Sequence, residues 1–273
     1  MIVQNKLIEE SFDFRSNLQC CELTECILAL GMVDAHIRAI GERINFDEEK
    51  LYSQEILKSV TLADFFWGTN TEGVSEDHRS LLLEILTKQP KSAECDSGNS
   101  IIGIYLYPDC GNHSHFKDYL NNRRDILSTL TDRRNFYLLL HSCFPDSLFS
   151  LDIEAGLNSI KKFSNHTSEI VKNLTVLNDE AVKAFKEHRE NIFEAFRVIK
   201  SQLLDCVPDK PENDTKLTFD FIDDEGDTVS VVCSPHTKLV AKHSDCRIYF
   251  YWCHEKIGSE EKVLIGRIGT HPY

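Results

Sequence analysis

Apolar residues along the first two-thirds of the chain recur mostly at helical spacing. Between Arg15 and Arg43 they fall at Leu18, Leu23, Ile27, Leu28, Leu30, Val33, Ile37 and Ile40, nearer a period of about 3.6 than of about 2. That spacing predicts one or two helices, broken or bent near Gly31. A second helical stretch is predicted from Asp47 to about Val60, and a third over Ser75 to Lys88, with Ser75 as N-cap and Leu81, Leu82, Leu83 and Ile85 as apolar positions. Helix returns after Phe149, with Leu157, Ile160 and Phe163 on one face, and again over Glu169 to Cys206, where two helices are expected to meet near Asn178. Val182, Phe185, Ile192, Phe196, Ile199 and Leu203 form an apolar stripe opposite Lys183, Glu187, Arg189, Glu190 and Glu194, and core packing is its simplest reading.

Elsewhere the pattern changes. Gln89 to Ser100 has loop chemistry, after which Ile101 to Tyr107, closed by Pro108, reads as a strand, with Asn135 to His141 as its companion. Val207 to Thr215 is rich in Pro and Asp and reads as a linker. Beyond it, Leu217 to Ile222 and Val229 to Cys233 flank the acidic turn Asp223 to Asp227, the pattern of a hairpin; Arg247 to Trp252 and Lys262 to Ile268 form a second one. Gly266 and Gly269 inside the last run imply a bulge or a close backbone approach, for instance with a partner chain. The expected class is therefore α+β: a mainly helical domain over 1–206 with a short strand pair, and a small antiparallel β unit over 216–273, joined through 207–215.

Composition narrows the functional classes. The 273 residues are 41% hydrophobic and 27% charged, ordinary values for a globular chain. A formal charge of −14 disfavours a general nucleic-acid binder, because phosphate neutralisation needs a surplus of Lys and Arg. The sum hides a local exception: from Thr228 to Tyr273 six Lys or Arg stand against four Asp or Glu, with four His besides. Nucleic acid is expected only at that C-terminal end. The N-terminal residues lack the continuous apolar core of a secretory signal, and no apolar run approaches the roughly 20 residues that cross a bilayer. The expectation is a cytoplasmic protein with no membrane partner and with its ten cysteines reduced.

Candidate chemistry concentrates near the end of the chain. Zinc is the one cofactor the sequence suggests, through Cys233, His236, His243 and Cys246, or through Cys110, His113 and His115 with His141 or Cys143. The plainer reading is buried thiols and a histidine at a turn. The acidic turn lacks the alternate-position ligands of a calcium loop, so a solvated turn is expected there. His236, Lys238, His243, Arg247, Arg267 and His271, with Tyr273, are the residue types that move protons and hold phosphoryl charge, and they form the candidate catalytic set. A charged sheet face is the plainer role for the two arginines. Glu255 with Lys256 is a minor carboxylate candidate. No phosphate-binding loop, dinucleotide fingerprint, nucleophile elbow or His-Glu-x-x-His helix stands in the sequence.

Two resemblances bear on function. A helical segment followed by an antiparallel sheet with basic residues and a terminal Tyr resembles the ribosome-dependent mRNA interferase toxins of toxin-antitoxin pairs. That likeness covers about 40 residues, with no fixed motif, and the acidic body departs from the basic surface such toxins present. More literally, Pro235, His236, Lys238 and Leu239, then Arg247 to Phe250, then Ile265, Gly266, Ile268, Gly269 and His271, resemble the Pro-His-x-Lys-Leu, Arg-Ile-Tyr-Phe and Ile-Gly-x-Ile-Gly-x-His segments that end a set of bacterial proteins from mobile-element and phage-defence loci. This resemblance implies bacterial immunity by association. The expected function is a protein-interaction component of a defence or toxin-antitoxin assembly, with a protein partner from the same operon. The alternative is an RNA- or DNA-cleaving toxin acting through the C-terminal His, Arg and Lys residues.

Overall fold

A computed structural model describes residues 3–12, 20–57, 59–68, 73–88, 100–106, 115–188, 191–202, 205–239 and 245–273. The fold is α+β, as expected, and the chain divides into two compact units, Met1–Arg123 and Arg124–Tyr273, rather than at 207–215. Among the described residues no helix is long and apolar enough to cross a membrane.

In the first unit, β1 (Val3–Leu7) buries Val3, Asn5 and Leu7 on one face. The 20-residue α1 (Cys20–Ala39) runs straight past Gly31, with no break there. A methyl group at Gly31 would meet Leu81 at 3.5 Å, an ordinary packing contact, so the position neither bends the helix nor requires glycine. β2 (Ile44–Asn45) and α2 (Glu48–Tyr52) follow, the latter capped by Asp47. The helix expected to reach Val60 stops at Tyr52 and gives way to the hairpin of β3 (Glu55–Leu57) and β4 (Val60–Thr61), where Ser59 takes a positive φ of 61°. α3 (Leu62–Trp67) starts from a Thr61/Asp64 capping box. α4 (Glu76–Thr87) starts from the expected N-cap Ser75. β5 (Ser100–Ile104) pairs parallel with β1 in a sheet of order β2-β1-β5. α5 (His115–Thr129) closes the unit with Arg123, whose guanidinium grips both oxygens of Glu42 at 2.7 Å.

In the second unit, α6 (Arg133–Cys143) occupies the segment read above as a strand. Phe136, Leu139, Leu140 and Cys143 are the buried apolar positions; the last three lie 3, 4 and 7 residues beyond Phe136, a spacing that a helix turns to one side. β6 (Ser147–Phe149) and α7 (Ile153–Asn158) lead to α8 (Thr167–Glu187), which continues past Asn178 unbroken. The Asn178 side chain accepts from the Asp146 N–H at 2.9 Å and the Ser147 hydroxyl at 3.0 Å, so it ties the helix to β6 instead of ending it. α9 (Ile192–Ser201) carries Phe196 onto Trp252 at 5.2 Å, and Phe185 of α8 stacks on the same indole at 5.7 Å.

Both predicted C-terminal hairpins exist, although they belong to different sheets. After β7 (Cys206–Val207), β8 (Thr218–Ile222) and β9 (Thr228–Val232) pair with each other around the acidic turn. β10 (His236–Lys238), β11 (Cys246–Tyr251) and β12 (Val263–Thr270) complete a five-stranded sheet of order β6-β12-β11-β10-β7, antiparallel except between β6 and β12. Residues 207–215 are therefore not a linker: Val207 pairs with His236, and 211–216 form a short 3-10 helix.

Candidate functional site

Strand register brings the candidate residues onto one face. In the antiparallel run His236 lies opposite Tyr249, which lies opposite Arg267; in the next row Lys238 lies opposite Arg247, which lies opposite Gly269. Because side chains alternate along a strand, these rows share a face of the sheet. Two segments outside the strands complete the cluster. The chain leaving β12 supplies His271 and Tyr273, and the chain leaving β7 supplies Asp209, whose N–H donates to the Ser234 carbonyl at 3.1 Å.

The contacts form two hydrogen-bonded groups, Tyr249 with His271 and Tyr273 with Asn213 and Asp209. The Tyr249 hydroxyl lies 2.5 Å from Nδ1 of His271. The Tyr273 hydroxyl donates to Oδ2 of Asp209 at 3.0 Å and accepts from Nδ2 of Asn213 at 3.1 Å; Asn213 also donates to Oδ1 of Asp209 at 2.8 Å. Nδ1 of His236 stands 3.9 Å from Oδ2 of Asp209 and 3.4 Å from the Ser234 carbonyl. The His236 ring is 5.1 Å from that of Tyr249 and 6.4 Å from that of His271. Burial is graded: Tyr249 and His236 are buried, His271 is half-buried, and Tyr273 is exposed.

The electrostatics follow from that gradient. Burial pulls the His236 imidazole below its ordinary value, more strongly than the Ser234 carbonyl and Asp209 pull it up. His271 is drawn down by burial and then by the charge of Arg247. Both rings are therefore neutral near pH 7. The Tyr249 phenol is pushed well up, by burial first and then by Tyr273 and Asp209, so it stays protonated. Burial also pushes the Asp209 carboxyl up, but hydrogen bonds from Asn213, the Lys210 N–H and Tyr273 outweigh it and hold the group below the usual carboxylate range. An ionised carboxylate accepts only, which gives the group around Asp209 a fixed end.

Of the six residues proposed from sequence, His236 and His271 join this cluster; Arg247 shares the face and acts on both rings through its charge, while its Nη1 donates to the Cys246 carbonyl at 2.8 Å. Lys238 shares the face but pairs with Asp205 at 3.1 Å, and Arg267 turns its Nε to the Thr270 carbonyl at 2.9 Å, which ties down the strand end. His243 lies outside the described residues. Tyr249, Asp209 and Asn213 were missed. Tyr249 looked like one apolar position of a strand, and Asp209 and Asn213 sat in a segment read as a linker.

The zinc set does not converge among the described residues, where no group of three His, Cys, Asp or Glu could hold a metal. Cys246 alternates with Arg247 and so faces away from His236, while Cys233 is packed in the apolar cluster of Phe219, Val231 and Leu264. In the first alternative set, Cys110 and His113 lie outside the described residues, Cys143 is buried, and the His141 ring packs on Phe149 at 4.8 Å. The acidic turn is structural: Asp223 accepts from the N–H groups of Glu225 and Asp227, and Asp224 from those of Gly258 and Ser259. Glu255 and Lys256 belong to a neighbouring turn, where the Lys256 N–H donates to Nδ1 of His254 at 3.2 Å. No family model matches the chain, and neither a curated protein nor a solved structure does.

Proposed function

We propose that the protein cleaves phosphodiester bonds, with nucleic acid as the substrate class and His271 as the proton-accepting group. The observation that carries this reading is the 2.5 Å contact that the buried Tyr249 hydroxyl makes with Nδ1 of the half-buried His271 imidazole, which also feels the charge of Arg247. The Tyr273 hydroxyl donates to Asp209 and so does not compete for His271. In this reading the Tyr249 hydroxyl accepts from Nδ1–H of His271. That polarity leaves a lone pair on Nε2, the condition for a general base. A ribose hydroxyl loses its proton to Nε2, its oxygen attacks phosphorus, and the 5′ oxygen leaves and takes a proton from water. Arg247 holds the charge that builds on the phosphoryl oxygens.

The test is expression of the chain in a bacterial host beside the His271→Ala variant, with cleavage of labelled RNA and DNA oligonucleotides by the purified proteins. The wild type should slow growth and cut the RNA but not the DNA, and the variant should do neither while keeping its circular dichroism spectrum. Harmless, inactive wild type would remove the reading.

A second reading is an interaction component of a bacterial defence or toxin-antitoxin assembly, binding a protein from the same operon. It is favoured by apolar exposure along one edge of the second unit. Leu151 is 59% exposed and its N–H donates to the Asp220 carbonyl at 2.9 Å, beside Ile222, which is 48% exposed. Protein that stays monomeric and co-purifies with nothing from its operon would sink it.

A further inference from the structure

A separate cavity of about 320 Å³ opens at the start of α8, near the lower end of the size range of small-molecule sites, about 300–1,000 Å³. Lys161, Lys162, Asn165 and His166 line one side of it, and Asp245 and Thr270 line the other. The helix behind it is 21 residues long, and its N-terminus is uncapped: His166 occupies the N-cap position and makes no side-chain capping bond. The neighbouring Thr167 does not substitute, because its hydroxyl donates to the Ser128 carbonyl at 2.9 Å. First-turn N–H groups without an intrahelical acceptor, together with the aligned peptide dipoles, favour an anion at this position.

A second observation points the same way. His166 is only 6% exposed, and its Nδ1 is buried with no hydrogen-bond partner among the described residues. A buried polar atom left unpaired is costly, and a bound acceptor or donor removes that cost. Lys162 reaches the rim from a left-handed backbone conformation, φ 54°, which turns the chain so that two consecutive lysines flank the opening. Asp245 lines the opposite side and carries the one opposing charge in the lining, against the two lysines.

We infer that this cavity binds a phosphoryl group, held by the α8 N–H groups, the His166 ring and the two lysines. This site stands apart from the His271 cluster and does not depend on its chemistry. The experiment is thermal unfolding of the full chain with inorganic phosphate or a single-stranded dinucleotide, against sodium chloride at matched ionic strength, in the wild type, the Lys161→Gln/Lys162→Asn variant and a Lys183→Gln control on the same helix. Phosphate should raise the unfolding temperature of the wild type and the control, and the double variant should bind about tenfold more weakly. The His166 ring resonances should move on titration with phosphate. Tighter binding of the dinucleotide would support the site and assign it to nucleic acid; tighter binding of inorganic phosphate would support it with a free phosphate as ligand. An equal response in chloride, or an unchanged response in the double variant, would overturn the proposal.

Discussion

Tyr249 and His271 meet through a 2.5 Å contact between a fully buried phenol and Nδ1 of a half-buried imidazole. The hydroxyl of one fixes the tautomer of the other, and the direction of that bond decides whether His271 offers a lone pair or a proton to solvent. The general-base role of His271 requires the proton on Nδ1, donated to the Tyr249 hydroxyl. Nitrogen chemical shifts of the His271 ring at neutral pH should therefore report the Nδ1–H tautomer. Tyr249→Phe should cost about 1–2 kcal/mol of stability, because it leaves a polar ring nitrogen unpaired. The same change should release the tautomer preference, and a ring still held on Nδ1–H in Tyr249→Phe would show that Tyr249 does not set it.

The two histidines also predict how stability varies with pH. Both have folded values below the unfolded value of about 6.5, so the unfolded chain binds more protons as the pH falls through that region. Stability is thus full above about pH 6.5, where both states are neutral. It declines as the pH drops toward the lower folded values, and it levels off below them. His141, drawn down by burial alone, adds to the same slope. Urea unfolding from pH 7.5 to 5 should show the decline, and His236→Gln should make it shallower. An unchanged slope in that variant would mean that His236 is not a contributor.

Gly269 meets the backbone of α7. A methyl group there would stand 2.4 Å from the Gly156 carbonyl oxygen and 2.5 Å from the Ser159 hydroxyl, which donates to that carbonyl at 2.6 Å and accepts from the Thr270 N–H at 3.0 Å. Backbone cannot step aside as a side chain can. Gly269→Ala should therefore destabilise by about 1–3 kcal/mol or more, whereas Gly226→Ala, with open space but a φ of +91°, should cost less. Chemical denaturation of the two variants ranks them, and equal costs would contradict the packing account.

The same glycine shows what the sequence made legible. Gly266 and Gly269 announced a close approach, and it exists within the chain itself: Gly266 sits at the register shift in β12 and faces Phe219 and Cys233. Both hairpins, the Ser75 cap and the α+β class were readable because short-range chemistry fixes them. The Asn135 to His141 segment reads as a strand because a run of aromatic and aliphatic residues fits one until burial shows which positions share a side, and there it is helix. β1 escaped notice because only five residues alternate there, and the polar Asn5 is a core position, held by Tyr119 and Glu42. For the candidate site, His236, Arg247 and His271 were visible as residue types. Asp209 was not, since only strand pairing between Val207 and His236 brings a Pro- and Asp-rich segment to the sheet.

The thiols offer a test of the metal question that needs no metal. A cysteine that ligates zinc does so as thiolate, in surroundings that lower its proton affinity. Here burial does the opposite. It pushes the Cys206 thiol up to about 12 and the Cys26 thiol up to about 11, and Cys233 is raised further in an environment of Phe219, Val231 and Leu264. At pH 8 these groups should be protonated and closed to reagents. Alkylation of the native protein followed by mass spectrometry should leave Cys26, Cys206 and Cys233 unmodified, and the same treatment in urea should modify all three. Fast native modification of Cys233, or its protection in urea by added zinc but not by magnesium, would restore the zinc reading for the Cys233 and His236 region. Slow native modification that speeds up in parallel with global unfolding would leave these thiols as core packing alone.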